Sequence, residues 1–173
     1  MPLAFNIDYT VLDKKTNKKF DLEPIFDTQY LRSGALVKVN QPYAWIFDWS
    51  QHDAPKVLFH LLQNDINVKQ SQIPLEFNIN GKTKRFEKGT VIIPAANQSL
   101  TTNAIRLMLD SLIQNGFTTV YELNSGYGSG GISIGNPNIF NVRKKNVFTI
   151  VGSGIRSYDV GEVWHFFDQV MQY

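Results

Sequence analysis

Two loops carry polar or glycine residues directly after apolar runs that are typical of buried strands. These residues are Asp48, Ser50 and His52 after residues 43–47, and Gly152, Ser153, Gly154 and Arg156 after residues 146–151. If the two runs are neighbouring parallel strands, the loops meet at the carboxyl edge of the sheet, where open α/β sheets bind ligands. One interpretation is therefore a binding site for a carboxylate, a peptide or a sugar. The other is that the glycines only permit a tight strand-to-helix turn.

A glycine-rich segment matches the letters of a dinucleotide-binding motif but not its context. Residues 126–131 read Gly-Tyr-Gly-Ser-Gly-Gly. That motif binds a pyrophosphate only where it opens a helix, because the helix supplies the amides and the dipole. The continuation contains Gly135 and Pro137 and is not a helix start of any length. The pattern favours a loop, and no cofactor is predicted.

Complete catalytic and metal-binding motifs are missing from the sequence. There is no cysteine, which excludes a thiol nucleophile and a thiolate metal site. The three histidines, His52, His60 and His165, stand in neither an H-x-x-E nor an H-E-x-x-H pattern. The serine elbow G-x-S-x-G is also absent. No catalytic residue and no metal ligand is assigned, and a hydrolase with an unrecognised Ser/His/Asp set is kept only as a third alternative.

Segments with strand-like and helix-like apolar patterns alternate along residues 41–173. This order predicts one α/β domain with a mostly parallel sheet flanked by helices. The predicted strands are 43–47, 66–68, 90–94, 118–121 and 146–151, and the predicted helices are one beginning after Asp53, residues 101–115 and residues 158–173. Asn80-Gly81 predicts an inserted β-hairpin over residues 75–87. Runs at 3–12 and 35–39 predict an N-terminal β extension over residues 1–40. A doubly wound sheet would add a strand after the last helix, so we expect truncation at the C-terminal end.

Composition indicates a globular chain without a nucleic-acid or membrane partner. The 173 residues are 43% hydrophobic and 18% charged, which suits a folded domain. The net charge of +2 comes from 17 basic and 15 acidic residues spread along the chain, whereas nucleic-acid binders concentrate basic charge on one face. No apolar run approaches the ~20 residues that span a bilayer. We therefore predict no nucleic-acid binding and no membrane insertion.

The last predicted helix and the turn before it carry a resemblance to a known family. Residues 151–169, and above all Tyr-Asp-x-Gly-Glu-Val-Trp-His at 158–165, resemble a segment of bacterial zinc carboxypeptidases of the carboxypeptidase A/T class. Matching stretches in the same order are residues 2–5, 43–48, 54–55, 92–94 and 131–137. The matching region lies beyond the catalytic domain and is similar to class I glutamine amidotransferase-like domains. The resemblance thus implies a flavodoxin-like or amidotransferase-like fold in a periplasmic or secreted protein.

The resemblance and the missing motifs together predict a non-catalytic accessory or interaction domain. Its expected partner is the catalytic domain of its own parent chain, which would hold the zinc ligands. The alternative is the small-ligand binding domain described above. The terminal helix has an apolar face wider than one sheet surface usually covers. We therefore also expect an exposed patch near Trp164 and Phe167, through which the isolated chain self-associates.

Overall fold

The computed structural model describes residues 34–114 and 116–171, together with Val11. The elements of secondary structure in these described residues belong to one unit of the chain, residues 31–173. The strands are β1 (Ala35–Val37), β2 (Ala44–Phe47), β3 (Val68–Ser71), β4 (Leu75–Ile79), β5 (Lys82–Phe86), β6 (Val91–Pro94), β7 (Thr119–Leu123) and β8 (Ile139–Val142). The helices are α1 (Ala54–Gln63), α2 (Thr102–Ile113) and α3 (Ser157–His165), the last continuing into a π-helical turn, Phe166–Val170. The chain is therefore an α/β protein.

Six strands form one mixed sheet in the order β1-β7-β2-β6-β3-β8. Only β1 and β7 pair in parallel, and the other four pairings are antiparallel. The prediction of a mostly parallel sheet is therefore wrong. The strand, helix and strand predicted between residues 43 and 68 correspond to β2, α1 and β3. Strands β2 and β3 point in the same direction, since both run antiparallel to β6. However, β6 lies between them and reverses the direction at each step.

The burial of β2 explains why its sequence was misleading. All four of its residues are buried, as the continuous apolar run predicted. Trp45 and Phe47 pack with the helices, whereas Ala44 and Ile46 pack with the hairpin formed by β4 and β5. A strand covered on both faces reads as one apolar run. That run reports two-sided burial and says nothing about the direction of the neighbouring strands.

Helices α1 and α2 cover one face of the sheet because their apolar residues recur every four positions. Val57 and Leu61 of α1 and Ile105, Leu109 and Ile113 of α2 join one core. Helix α2 begins at a side-chain cap, since the Thr101 hydroxyl accepts a hydrogen bond from the Ala104 amide at 3.3 Å. The structure thus confirms a helix within the predicted range 101–115.

The opposite face is covered by the predicted hairpin. Asn80 and Gly81 join β4 to β5 with φ angles of 52° and 80°, the positive values that a tight hairpin turn requires at both central residues. Leu75, Phe77 and Phe86 bury their side chains against the sheet. The Asn-Gly prediction is confirmed in type and position.

The predicted strand over residues 146–151 is wrong. Residues 143–151 form no strand in the structure, and their side chains are exposed. The strand β8 instead lies at residues 139–142, directly after the glycine-rich segment. At the other end of the domain, β1 (from the predicted run 35–39) is an edge strand of the sheet. Apart from Val11, the predicted strand at 3–12 lies outside the described residues, and the division at residue 40 stays a prediction.

Candidate functional site

Asp48, Ser50 and His52 lie together in the loop between β2 and α1. Asp48 accepts hydrogen bonds from the Glu87 amide and the Thr90 hydroxyl, each at 3.4 Å. It therefore connects this loop to the segment that follows the hairpin. Ser50 is exposed and makes no hydrogen bond to any described residue. His52 is the one histidine that this loop supplies for acid–base chemistry.

His52 forms a pair with its neighbour Asp53. Its Nδ1 lies 2.7 Å from Asp53 Oδ1, and its ring meets the Phe117 ring edge-on at 5.5 Å. Asp53 stands at the predicted N-cap of α1 but makes no cap bond. Its second carboxylate oxygen accepts a hydrogen bond from the Phe117 amide at 2.8 Å. No described hydroxyl is bonded to His52, so the pair lacks the nucleophile of a triad.

Gly152, Ser153, Gly154 and Arg156 lie in an exposed turn before α3. Gly152 and Gly154 have φ angles of 132° and 89°, the left-handed values that favour glycine. The turn closes on itself by a bond from the Ile155 amide to the Gly152 carbonyl at 3.2 Å. Within the described ranges, no hydrogen bond joins this turn to residues 48–52. The strand on which their convergence depended is absent, and the ligand site itself stays a prediction.

The glycine-rich segment 124–138 folds against the hairpin and does not open a helix. An isolated bridge pairs Tyr127 with Ser133, and the Ser129 amide donates to the Glu76 carbonyl at 2.7 Å. A Cβ on Gly128 would lie 2.6 Å from that same carbonyl oxygen. The glycine at this position therefore permits the close approach of two backbones, which needs no phosphate to explain it.

The three histidines lie on separate elements, His52 in the loop before α1, His60 on α1 and His165 at the end of α3. Among residues 34–114 and 116–171, no three His, Cys, Asp or Glu side chains are grouped so that they could hold a metal ion. His60, on α1, has a buried Nε2 atom that bonds to no described residue. Burial, followed by the charge of Lys56, lowers the pKa of this imidazole. His60 is thus favoured as a neutral packed side chain.

Sequence reasoning missed Glu122 on β7, a buried carboxylate that accepts four hydrogen bonds from described residues. Its side chain is 1% exposed. Arg106 donates to both carboxylate oxygens, at 2.6 and 2.8 Å, and the Trp45 indole and the Val39 amide donate at 3.0 and 2.8 Å. A glutamate inside an otherwise apolar strand was the available signal. Its partner lies 16 residues away on α2, beyond the reach of helical or strand periodicity.

The bonds of Glu122 indicate a structural role. Burial by itself raises the pKa of this carboxyl, but the hydrogen bonds from Arg106, Val39 and Trp45 and the Arg106 charge together lower it. The lowered pKa favours the ionised form, and each carboxylate oxygen accepts two hydrogen bonds. Arg106 also donates to the Val39 carbonyl at 3.0 Å. These hydrogen bonds connect Arg106 of α2 to Glu122 of β7 and to Val39, just after β1, and connect Glu122 to Trp45 of β2. We call these residues the Glu122 cluster.

Residues 147–170 expose an unusual number of large apolar side chains, which we call the C-terminal apolar surface. Its members at least 46% exposed are Val147, Phe148, Ile150, Val151, Ile155, Tyr158, Trp164, Phe166 and Val170. Phe148 is 87% and Trp164 65% exposed. A groove of about 490 Å³ runs beside them, between Phe59 of α1, residues 144–149 and Phe167.

Comparisons with family models, curated proteins and solved structures found no match for this chain. In the part that the structure describes, no helix has the length and apolar character to cross a bilayer. The geometry of the described residues is therefore the basis for a functional proposal.

Proposed function

We propose that this chain is a non-catalytic accessory domain that binds another polypeptide through the C-terminal apolar surface. The observation that carries the proposal is the exposure of nine large apolar side chains between Val147 and Val170. Soluble monomers rarely expose contiguous apolar patches above a few hundred Å², and larger ones usually mark interaction sites. Burying one such side chain contributes about 1.5–3 kcal/mol, so a few of them suffice for a stable contact.

The local sequence and structure of this surface support a strand-and-helix contact. Residues 146–151 read Asn-Val-Phe-Thr-Ile-Val, rich in β-branched and aromatic residues that favour strands. In the structure these residues pair with no described strand, and the helix after them exposes Trp164. A partner that offers a sheet edge and an apolar face would satisfy both.

The resemblance at residues 151–169 motivates the proposal that the partner is a carboxypeptidase-like catalytic domain of the same parent protein. That protein would be periplasmic or secreted. The proposal does not require a flavodoxin-like or amidotransferase-like fold, whose doubly wound parallel sheet differs from the pairing of β2, β6 and β3.

The binding test uses the catalytic domain encoded in the same reading frame as its probe. We expect the chain to bind that domain, and we expect the double variant Phe148→Ser/Trp164→Ser to weaken binding at least about tenfold, since two aromatic side chains no longer become buried. Tyr127→Ser is the matched control, because Tyr127 is 79% exposed but lies in the glycine-rich segment. Isothermal titration calorimetry measures each dissociation constant.

Two results would contradict the proposal in different ways. The non-catalytic role would be contradicted if this chain alone bound zinc tightly and stoichiometrically and showed carboxypeptidase turnover. Equal binding by the double variant and the control would remove the C-terminal apolar surface as the contact. If the reading frame encodes no peptidase-like domain, the carboxypeptidase context is wrong.

A further inference from the structure

A polar groove of about 660 Å³ lies at the end of the sheet opposite the Asp48 loop. It is bounded by the start of β2 and β3 and by the carboxyl ends of β6 and β8. The side chains that give it its character are Tyr43, Asn67, Lys69, Asn97, Asn141 and Arg143. No carboxylate of the described residues lines it. The groove thus differs in composition from the apolar groove beside Phe167.

The register of β3 and β8 places Lys69 and Asn141 on the same face of the sheet, and Arg143 lines the groove beside them. Lys69 pairs directly with Asn141, and Val68 pairs with Val142. Arg143 follows β8 directly and lines the same groove as Lys69 and Asn141. Lys69 and Arg143 can therefore approach one ligand from both sides.

Neither cation is neutralised by the described part of the chain. The ion pairs there involve Lys38, His52, Arg85 and Arg106, and none includes Lys69 or Arg143. No hydrogen bond from a described residue occupies the side chains of Lys69, Asn141 or Arg143. Two like charges that line the same groove repel each other, and an anion between them removes that repulsion.

The wall of the groove is held in place by hydrogen bonds. The Asn67 amide donates to Gln98 Oε1 at 2.8 Å, and Gln98 Nε2 donates to the Asn67 and Pro94 carbonyls at 2.9 and 2.6 Å. The Asn67 side chain also donates to the Asn97 carbonyl. The loop after β6 is thereby fixed to the start of β3, so the groove keeps its shape without a ligand.

We propose that this groove binds a small anion that carries carboxylate or phosphate groups, held by Lys69 and Arg143 and oriented by Asn141. Guanidinium and ammonium groups are the side chains that recognise both kinds of anion. The side-chain amides of Asn67 and Asn97 and the hydroxyl of Tyr43 can form hydrogen bonds with polar groups elsewhere on the ligand. This site is independent of the C-terminal apolar surface.

The test titrates the full chain with inorganic phosphate and with citrate at constant ionic strength, using sodium chloride as the reference. We expect saturable binding of at least one anion, and the tighter of the two identifies the class. The double variant Lys69→Gln/Arg143→Gln should weaken binding about tenfold for each charge-assisted hydrogen bond that it removes. The matched control Lys82→Gln/Lys88→Gln removes the same charge from exposed positions on and beside the hairpin, and should bind as the wild type does.

Circular dichroism checks that each variant is folded. The proposal is overturned if the folded wild type binds neither anion saturably at millimolar concentration. It is equally overturned if the groove variant binds as tightly as the wild type, or if the control loses as much affinity as the groove variant, because the effect is then one of net charge.

Discussion

Glu122 carries its charge inside the sheet, and the cost of burying it is offset by four donors. Arg106 supplies two of them and the opposite charge, while Trp45 and Val39 supply the others. Removing one partner from a buried pair is strongly destabilising, because it leaves a charge without compensation. At the residue scale, this pair is the most sensitive polar contact that the structure describes.

We predict that Arg106→Met lowers the free energy of unfolding by about 3–5 kcal/mol. Lys38→Met is the matched control, because Lys38 pairs with Asp110 at 2.6 Å on the surface. An exposed pair of this kind is worth only about 0–1 kcal/mol. Urea denaturation of both variants measures the difference. Equal losses would show that the Glu122 cluster is not a buried ion pair.

The free energy of unfolding at acidic pH gives a second test of the Arg106–Glu122 pair, with the same Arg106→Met variant. The pKa of Glu122 is lowered in the folded chain, so its contribution is present above the ordinary carboxyl pKa and is lost as pH falls through the lower folded value. The gap between wild type and Arg106→Met should therefore narrow below about pH 4. A gap that is constant from neutral pH to acid would contradict the assignment.

The hairpin is the element that local sequence determines most directly. The turn at Asn80-Gly81 needs positive φ at both residues, and asparagine and glycine tolerate it best. A Cβ on Gly81 would meet nothing within 4 Å. The backbone angle is therefore the only reason for glycine at this position. The same open space surrounds Gly161 in α3, where the backbone is helical.

Two alanine substitutions should therefore have opposite signs. Gly81→Ala is expected to destabilise the chain by about 1–2 kcal/mol, because an L-residue is strained at φ 80°. Gly161→Ala is expected to stabilise α3 by about 0.5–1 kcal/mol, because alanine has the higher helix propensity. Thermal unfolding of each variant gives the two shifts. A Gly81→Ala protein as stable as wild type would mean that the turn adopts another conformation.

At the scale of the whole molecule, burial is uneven along the chain. The sheet from β1 to β8 has apolar cores on both faces, whereas the region after β8 keeps most of its apolar side chains in solvent. Phe167 does approach Phe59 of α1, with ring centroids 6.5 Å apart. Trp164, one turn earlier, remains 65% exposed. Covering this helix with a second apolar surface would therefore be favourable.

We predict that the isolated chain self-associates through the C-terminal apolar surface at high concentration. Sedimentation velocity over a concentration series should show a dimer, and Trp164→Ser should shift the monomer–dimer equilibrium about tenfold or more toward monomer. Leu107→Ser is the matched control, since Leu107 is 68% exposed on α2. A monomer at all concentrations, or an equal shift in the control, would exclude this surface as the contact.

The sequence by itself determined the features that depend on near neighbours along the chain. The Asn80-Gly81 turn, the helix within residues 101–115 and the two-sided burial of β2 follow from backbone angles and apolar periodicity, which act over a few residues. The width of the apolar face of the last helix predicted an exposed patch near Trp164 and Phe167; Trp164 is exposed, whereas Phe167 is partly buried near Phe59.

Only the tertiary structure decided which strands are neighbours and in which direction they run. Apolar periodicity is the same for parallel and antiparallel pairing, so the insertion of β6 between β2 and β3 left no local signal. Residues 146–151 have the composition of a strand, but a strand also needs a partner, and these residues pair with no described strand. Glu122 meets Arg106, and Lys69 faces Asn141, because strand order and register bring distant residues together. Both the charge cluster and the anion groove are consequences of that pairing.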